Sequence, residues 1–370
     1  MHALKSVFVV GGLNEDIKAR PFSTCTPRTS NPGRVYRAPG GVARNIAHSL
    51  ALLGSPVTLC SAAGRDSGGD SVLSATAAAG VNTTAVFRLT DIPTGTYVAI
   101  QDETGNLAAA VSSMEIMDAL TPAQLSSIEA PIASAAALVI DTNLRTDSLN
   151  HIVRIAHRHG VPCIAEPVSV EKSTRLSEIL PYCSWICPNS DELCKLFSLD
   201  SSVIQGVIRN IVKHPPLKPT ILPSAAPYPP VALDFGSFTA ALTPSTGNSA
   251  PHILVTLGEE GVLLLSRDPK CNGRTTLSPP NKYETHQWWA WWYPPVDAEV
   301  VDSNGAGDAF IAGFTAAFTS PRLLPKEKTF RDNTEENRGT TVAEAVQLGQ
   351  AAAALTLESP HTVTPNLSEL

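Results

Sequence analysis

Asp302-Ser303-Asn304-Gly305-Ala306-Gly307-Asp308 follows the apolar pair Val300-Val301 and precedes the helical run Ala309 to Phe318. Three small residues at the start of a helix let backbone N–H groups approach an anion, and the helix adds the positive end of its dipole. Such a turn suits a migrating phosphoryl group. Asp308 falls in the first turn, beside that anion site, where a carboxylate can accept a proton from an attacking alcohol. The plainer alternative is a tight turn with a capping aspartate.

A second glycine-rich stretch, Ala38-Pro39-Gly40-Gly41-Val42-Ala43-Arg44-Asn45, opens a helix spanning Ala43 to Leu53. Gly40 and Gly41 permit close backbone approach to a ligand, and Asn45 offers a donor and an acceptor to paired hydroxyls. The same residues would also make an ordinary helix start with an exposed Asn. Earlier still, the strand Ser6 to Val10 runs into Gly11-Gly12-Leu13-Asn14-Glu15-Asp16. That order puts polar side chains just past a strand's carboxyl end, where open α/β sheets bind ligands, and Asp16 could hold two sugar hydroxyls. A solvated turn is the other reading.

Around these stretches, short apolar runs alternate with Ala- and Leu-rich helical ones. Strands are expected at Val57 to Ser61, Ala137 to Asp141, Val161 to Glu166 and Trp185 to Pro188, and helices at Ser71 to Ala79 and Ser148 to His159. This alternation predicts an α/β fold with a mostly parallel central sheet between two helical layers. Arg34 to Arg37, and Thr94 to Gln101 joined to Leu107 through Ser112 by a D-E-T-G turn, break the rhythm and read as a small β lid. The lid would come from about 13–38 and 92–113. Three irregular stretches, about 213–251, 268–298 and 320–340, read as insertions in a single domain of 1–370. The cluster Trp288, Trp289, Trp291 and Trp292 in the second would fold back on the domain rather than serve a partner.

The chain has 370 residues, 43% hydrophobic and 16% charged, which argues for a packed core and against disorder. A formal net charge of -7 gives no broad positive field, so no nucleic-acid partner is expected. No apolar run approaches the roughly 20 residues of a membrane helix, and with no leader pattern the expected location is cytoplasmic. The seven cysteines lack paired zinc-ligand spacing and read as reduced thiols.

In this order, the stretches resemble the PfkB carbohydrate kinase family, also called the ribokinase family. PGGVARN is similar to its first signature and DSNGAGDAF to its second. Between them, Asn189 and Glu192 in PNSDE resemble its N-x-x-E motif, and Thr256 to Gly261 in TLGEEG its nucleotide-binding strand and turn. The resemblance implies a ribokinase-like three-layer sandwich with a β lid, and an ATP-dependent phosphotransferase using Mg2+, with K+ as a second cation. By the same resemblance Asp308 is the general base, with Gly305, Ala306 and Gly307 forming an anion hole with it. Asn14, Asp16, Gly40, Gly41 and Asn45 would bind the acceptor sugar. Asn189, Thr256, Gly258, Gly261 and Gln350 would line the nucleotide site. Glu192 would hold magnesium through water, and Asp302 would serve a monovalent cation, although Asn304 departs from the family's usual residue there.

Thr29-Ser30-Asn31-Pro32-Gly33, Glu166 to Lys172 and the run Leu348 to Ser359 resemble the pseudouridine kinase branch. Ser30 and Asn31 carry hydroxyl and amide groups able to pair with a uracil face. The alternatives are a family kinase for another nucleoside or sugar, and a catalytically weak family member that binds a partner. A homodimer through the lid is a further expectation, since thin sheets bury little on one face.

Overall fold

A computed structural model describes residues 4–213, 231–233, 250–273, 277, 287–320 and 340–370. Most of the three expected insertions therefore lies outside the described residues. The strands are β1 Val7–Val10, β2 Asn14–Pro21, β3 Gly33–Gly40, β4 Val57–Cys60, β5 Ala62–Gly64, β6 Phe87–Leu89, β7 Thr96–Gln101, β8 Leu107–Ser113, β9 Ala137–Asp141, β10 Cys163–Glu166, β11 Trp185–Ile186, β12 Val231–Leu233, β13 His252–Thr256, β14 Val262–Ser266 and β15 Trp288–Tyr293. The longer helices are α1 Val42–Leu52, α2 Ser67–Ala78, α3 Thr146–Arg158, α4 Ser190–Phe197, α5 Ser201–Lys213, α6 Ala306–Thr319 and α7 Val342–Leu357.

Nine strands form the central sheet in the order β12-β15-β14-β13-β11-β10-β9-β1-β4. From β4 to β13 every pairing is parallel, and β14, β15 and β12 add an antiparallel edge. Strands buried on both faces read as unbroken apolar runs. In β1, Val7 and Val9 pack on one face with α1, α6 and α7, while Phe8 and Val10 pack on the other with α3, α4 and α5. The result is the three-layer α/β sandwich expected, with the carboxyl ends of the parallel strands free to carry a site.

The tryptophan run departs from the expected irregular stretch. Trp288 to Tyr293 is strand β15, and its side chains alternate: Trp288 and Ala290 enter one core, Trp291 and Tyr293 the other. Period-two burial between two neighbouring strands makes it part of the sheet.

The lid is a separate four-stranded sheet, β3-β2-β7-β8. Its β2 falls within the 13–38 segment expected in the lid, but no strand was expected at Asn14–Pro21 because NEDIKARP has little apolar alternation; pairing with β3 on one side and β7 on the other holds it extended. Helix α2 begins before the expected Ser71 because the Asp66 side chain accepts from Gly69 N at 2.7 Å and caps an earlier start. All seven cysteines are free thiols, with Cys25 exposed and Cys194 partly so.

Candidate active site

Gly305 starts the turn expected to bind phosphate. Its φ of 82° is left-handed, and a Cβ there would lie 2.0 Å from the Thr362 carbonyl oxygen, so only glycine fits. The next residues enter α6, and no side chain caps this helix, which leaves first-turn N–H groups for a ligand. Ala306 and Gly307 border a cavity of about 500 Å³, together with Asn189, Thr256, Gly258, Gly261 and Gln350. That volume suits a small-molecule ligand. Every residue assigned to the nucleotide thus lines one cavity with the anion turn. Gln350 is oriented by donating its Nε2 to the Pro294 carbonyl at 2.7 Å.

Asp308 points the other way. It is 8% exposed, and its Oδ2 accepts from Asn45 Nδ2 at 2.9 Å, a contact between residues 263 positions apart. The two glycine-rich turns therefore meet. Burial pushes the Asp308 carboxyl up to about 7, against the lowering effect of the Asn45 bond, and buried Asp141 adds to the rise. Asn45 is itself fixed, because Arg44 Nη1 donates to its Oδ1 at 3.2 Å. Burial lowers the Arg44 guanidinium to about 10.

On the lid side, Asn14 Nδ2 donates to Asp16 Oδ1 at 2.6 Å. Burial raises the Asp16 carboxyl above its ordinary range, while the Asn14 bond, Lys18 and Arg44 pull it down. A Cβ on Gly40 would sit 2.5 Å from that carboxylate, and one on Gly41, whose φ is 101°, would lie 2.4 Å from the Gly12 oxygen. These glycines let Asp16 and the first strand's end close onto the start of α1.

Glu192 and Asn189 form a capping box: Asn189 N donates to Glu192 Oε2, and Glu192 N to Asn189 Oδ1, each at 2.9 Å. Glu192 also borders a cavity of about 190 Å³ with Glu166, Asn189, Thr256 and Gly307, next to the larger one. Burial raises the Glu192 carboxyl, and burial followed by Glu192 and Asp308 raises Glu166 well above its ordinary range. In the sequence Glu166 carries only the branch resemblance, and its place beside Glu192 comes from the fold. Two proton-hungry carboxylates facing one small polar space fit a divalent cation held through water, although among the described residues no three ligating side chains converge for direct coordination.

Two assignments are placed differently. Asp302 accepts from Asn304 N at 3.0 Å and from Asn304 Nδ2 at 2.7 Å, and Lys18 Nζ lies 3.9 Å from its other oxygen. An ammonium thus already stands beside the carboxylate assigned to a monovalent cation. Ser30 and Asn31 are exposed in the turn between β2 and β3. Asn31 Oδ1 accepts from Thr26 N at 2.8 Å, and its Nδ2 donates to Thr26 O at 3.0 Å, so the amide braces its own turn. Asn14 pairs with Gly40 at one end of the hairpin and Pro21 with Gly33 at the other. At about 3.4 Å per residue the tip is roughly 24 Å from Asn14. The structure does not bring these two residues to Asp16 and Asn45.

Sequence reasoning also passed over Asp141 and Arg44. A carboxylate ending a buried strand, and a charge next to the assigned Asn, were the available signals.

The profile described as pfkB family carbohydrate kinase matches residues 4–214 and 239–369. The chain is 26% identical to a pseudouridine kinase of Arabidopsis thaliana, over 96% of this chain and 92% of that one. It is 25% identical to a pseudouridine kinase of Escherichia coli K12, over 98% and 93%. Among solved structures, Arabidopsis thaliana ribokinase complexed with ribose and ATP superposes with a TM-score of 0.69 at 17% identity, covering 99% of this chain and 98% of that one.

Proposed function

Because the chain belongs to the pfkB family of carbohydrate kinases, we propose that it transfers the γ-phosphoryl group of ATP to the 5'-hydroxyl of pseudouridine. The products are pseudouridine 5'-phosphate and ADP. The observation that carries the chemistry is the Asn45–Asp308 hydrogen bond, which joins the acceptor turn to the anion turn. The choice of substrate is supported by the two pseudouridine kinases matched over nearly the whole chain.

The acceptor sugar sits between Asn14, Asp16, Gly40, Gly41 and Asn45. Its 5'-oxygen attacks the γ-phosphorus, the bond to the β-phosphate oxygen breaks, and Asp308 takes the hydroxyl proton. N–H groups from Gly305 to Asp308 meet the charge on the transferring group in a site fixed before the substrate arrives. The nucleotide occupies the cavity lined by Asn189, Thr256, Gly258, Gly261 and Gln350. Glu192, with Glu166 across the smaller cavity, would hold magnesium through water. That ion supplies countercharge to the triphosphate. Asp302 would share a monovalent cation from beside Lys18, whose ammonium lies 3.9 Å from its Oδ2.

Ser30 and Asn31 stay at the lid tip, with the Asn31 amide held by Thr26, so neither is assigned to the uracil. The lid exposes Val35, Leu107 and Val111, at 65%, 60% and 69%. This apolar face supports a homodimer through the lid, which sedimentation of the wild type against a Val111→Glu variant would test. Among the described residues no helix is long and apolar enough to cross a membrane.

ADP release with ATP and magnesium against pseudouridine, uridine, adenosine, ribose and fructose tests the assignment. Pseudouridine should give the highest kcat/KM. Equal or faster turnover of ribose or adenosine would replace it with another family substrate, and calorimetry showing no binding of ATP would sink the kinase reading itself.

A further inference from the structure

Asp141 ends β9 with no exposed surface. Its carboxylate accepts backbone N–H bonds from three separate segments: Gly12 at 2.8 Å, Ala43 at 2.9 Å and Asn143 at 2.9 Å. Gly12 lies just before the strand that carries Asn14 and Asp16. Ala43 belongs to the first turn of α1, two residues before Asn45. One carboxylate therefore ties together both loops of the acceptor site.

The neighbouring glycines exist for this contact. A Cβ on Gly11 would lie 2.3 Å from Asp141 Cγ, and one on Gly12 would lie 2.6 Å from Asn143 Nδ2. Any side chain at either position would push the clasp apart. The Asn143 side chain, beside the Asp141 carboxylate, also works against the rise in its titration. The Asn143 Oδ1 in turn accepts from half-buried Lys172 Nζ at 2.6 Å. Asn143, whose backbone N–H bonds the buried anion and whose side chain accepts from Lys172, thus stands between that anion and a cation, the arrangement under which such a charge is tolerated. Burial raises the Asp141 carboxyl and the hydrogen bonds oppose that rise.

We propose that Asp141, backed by Asn143 and Lys172, is a positioning residue that fastens the strand-end loop of Asn14 and Asp16 to the helix start of Asn45, setting the acceptor geometry over which Asp308 works. The proposal rests on the kinase reading above, and its test is separable from it. In Asp141→Asn the shape is kept, but the amide turns a donor toward one of the three N–H groups. The KM for the acceptor should rise about tenfold or more, while the KM for ATP stays within about twofold. Amide hydrogen exchange should quicken in segments 11–16 and 42–46 and stay unchanged in 189–192 and 256–261.

Lys172→Met removes the counter-charge from a half-buried position without emptying the core. It should shift acceptor KM and exchange in the same direction, by about threefold. This variant decides the matter should Asp141→Asn fail to fold. Unchanged acceptor KM and exchange, or a parallel rise in both KM values with exchange quickened everywhere, would overturn the clasp. If the wild type phosphorylates none of the acceptors, the kinase reading falls, and the exchange pattern still decides whether Asp141 holds the two loops.

Discussion

On the acceptor side of the site, Asn14, Asn45, Asp141 and Asp308 are each 8% exposed or less; Asn14 donates to Asp16, Asn45 donates to Asp308, and Asp141 accepts backbone N–H groups from Gly12, Ala43 and Asn143. On the nucleotide side, Gly258, Gly307 and Asn189 are exposed at a cavity of about 500 Å³, and the anion turn offers main-chain N–H groups rather than side chains. The contrast follows from the two tasks. Proton removal from an alcohol needs one carboxylate held in one place, so its surroundings are built before the substrate arrives. Phosphate charge can be met by helix dipole and backbone, which many side chains around the cavity leave intact.

That contrast can be broken most sharply at Asp308. Asp308→Asn should lower kcat by about 10²-fold or more, the scale of a lost general base, with calorimetric affinity for ATP unchanged. The same change removes a buried carboxylate raised to about 7, so the variant should melt higher than wild type above neutral pH, where the native group is ionised. A variant that loses ATP binding along with turnover would mean that the two halves are not separable.

Two glycines in the anion turn sharpen the comparison. Gly305→Ala would force its methyl to within 2.0 Å of the Thr362 oxygen at a left-handed φ, and should cost about 1–3 kcal/mol in chemical denaturation as well as activity. Gly307→Ala meets no heavy atom within 4 Å and points its effect at the neighbouring cavity. It should leave stability unchanged and raise the KM for ATP about fivefold, as a steric change confined to binding does. Equal stability loss in both variants would remove the distinction. Smallest of all, Gln350→Ala loses the bond to the Pro294 carbonyl and should raise the KM for ATP only two- to fivefold or so, with the acceptor KM unmoved.

The turn Gly305 to Asp308 and the start of α1 were legible because their chemistry is local: small residues at a strand-to-helix junction restrict what the backbone can do. The apolar runs of β1 and β9 were equally plain, since both of their faces are buried. Strand β2 was hidden because its extended form comes from pairing on both sides, and no alternation in NEDIKARP records that. The tryptophan run of β15 concealed a strand behind flanking polar residues. Asp141 and Glu166 gain their meaning only when distant segments converge on them, and Asn31, whose amide is consumed by its own turn, shows the reverse. A polar side chain near a motif in sequence can lie far from the site in space.

The most direct check on the account is the pH dependence of kcat/KM for ADP formation. As the proposed base Asp308 would work as a carboxylate, and burial raises its titration to about 7. The rate should therefore climb close to tenfold per unit below that point, as a single base loses its proton, and level off above it. Rates that stay flat between about pH 5 and about pH 8, or that fall as the pH rises through that range, would contradict Asp308 as the group that accepts the proton.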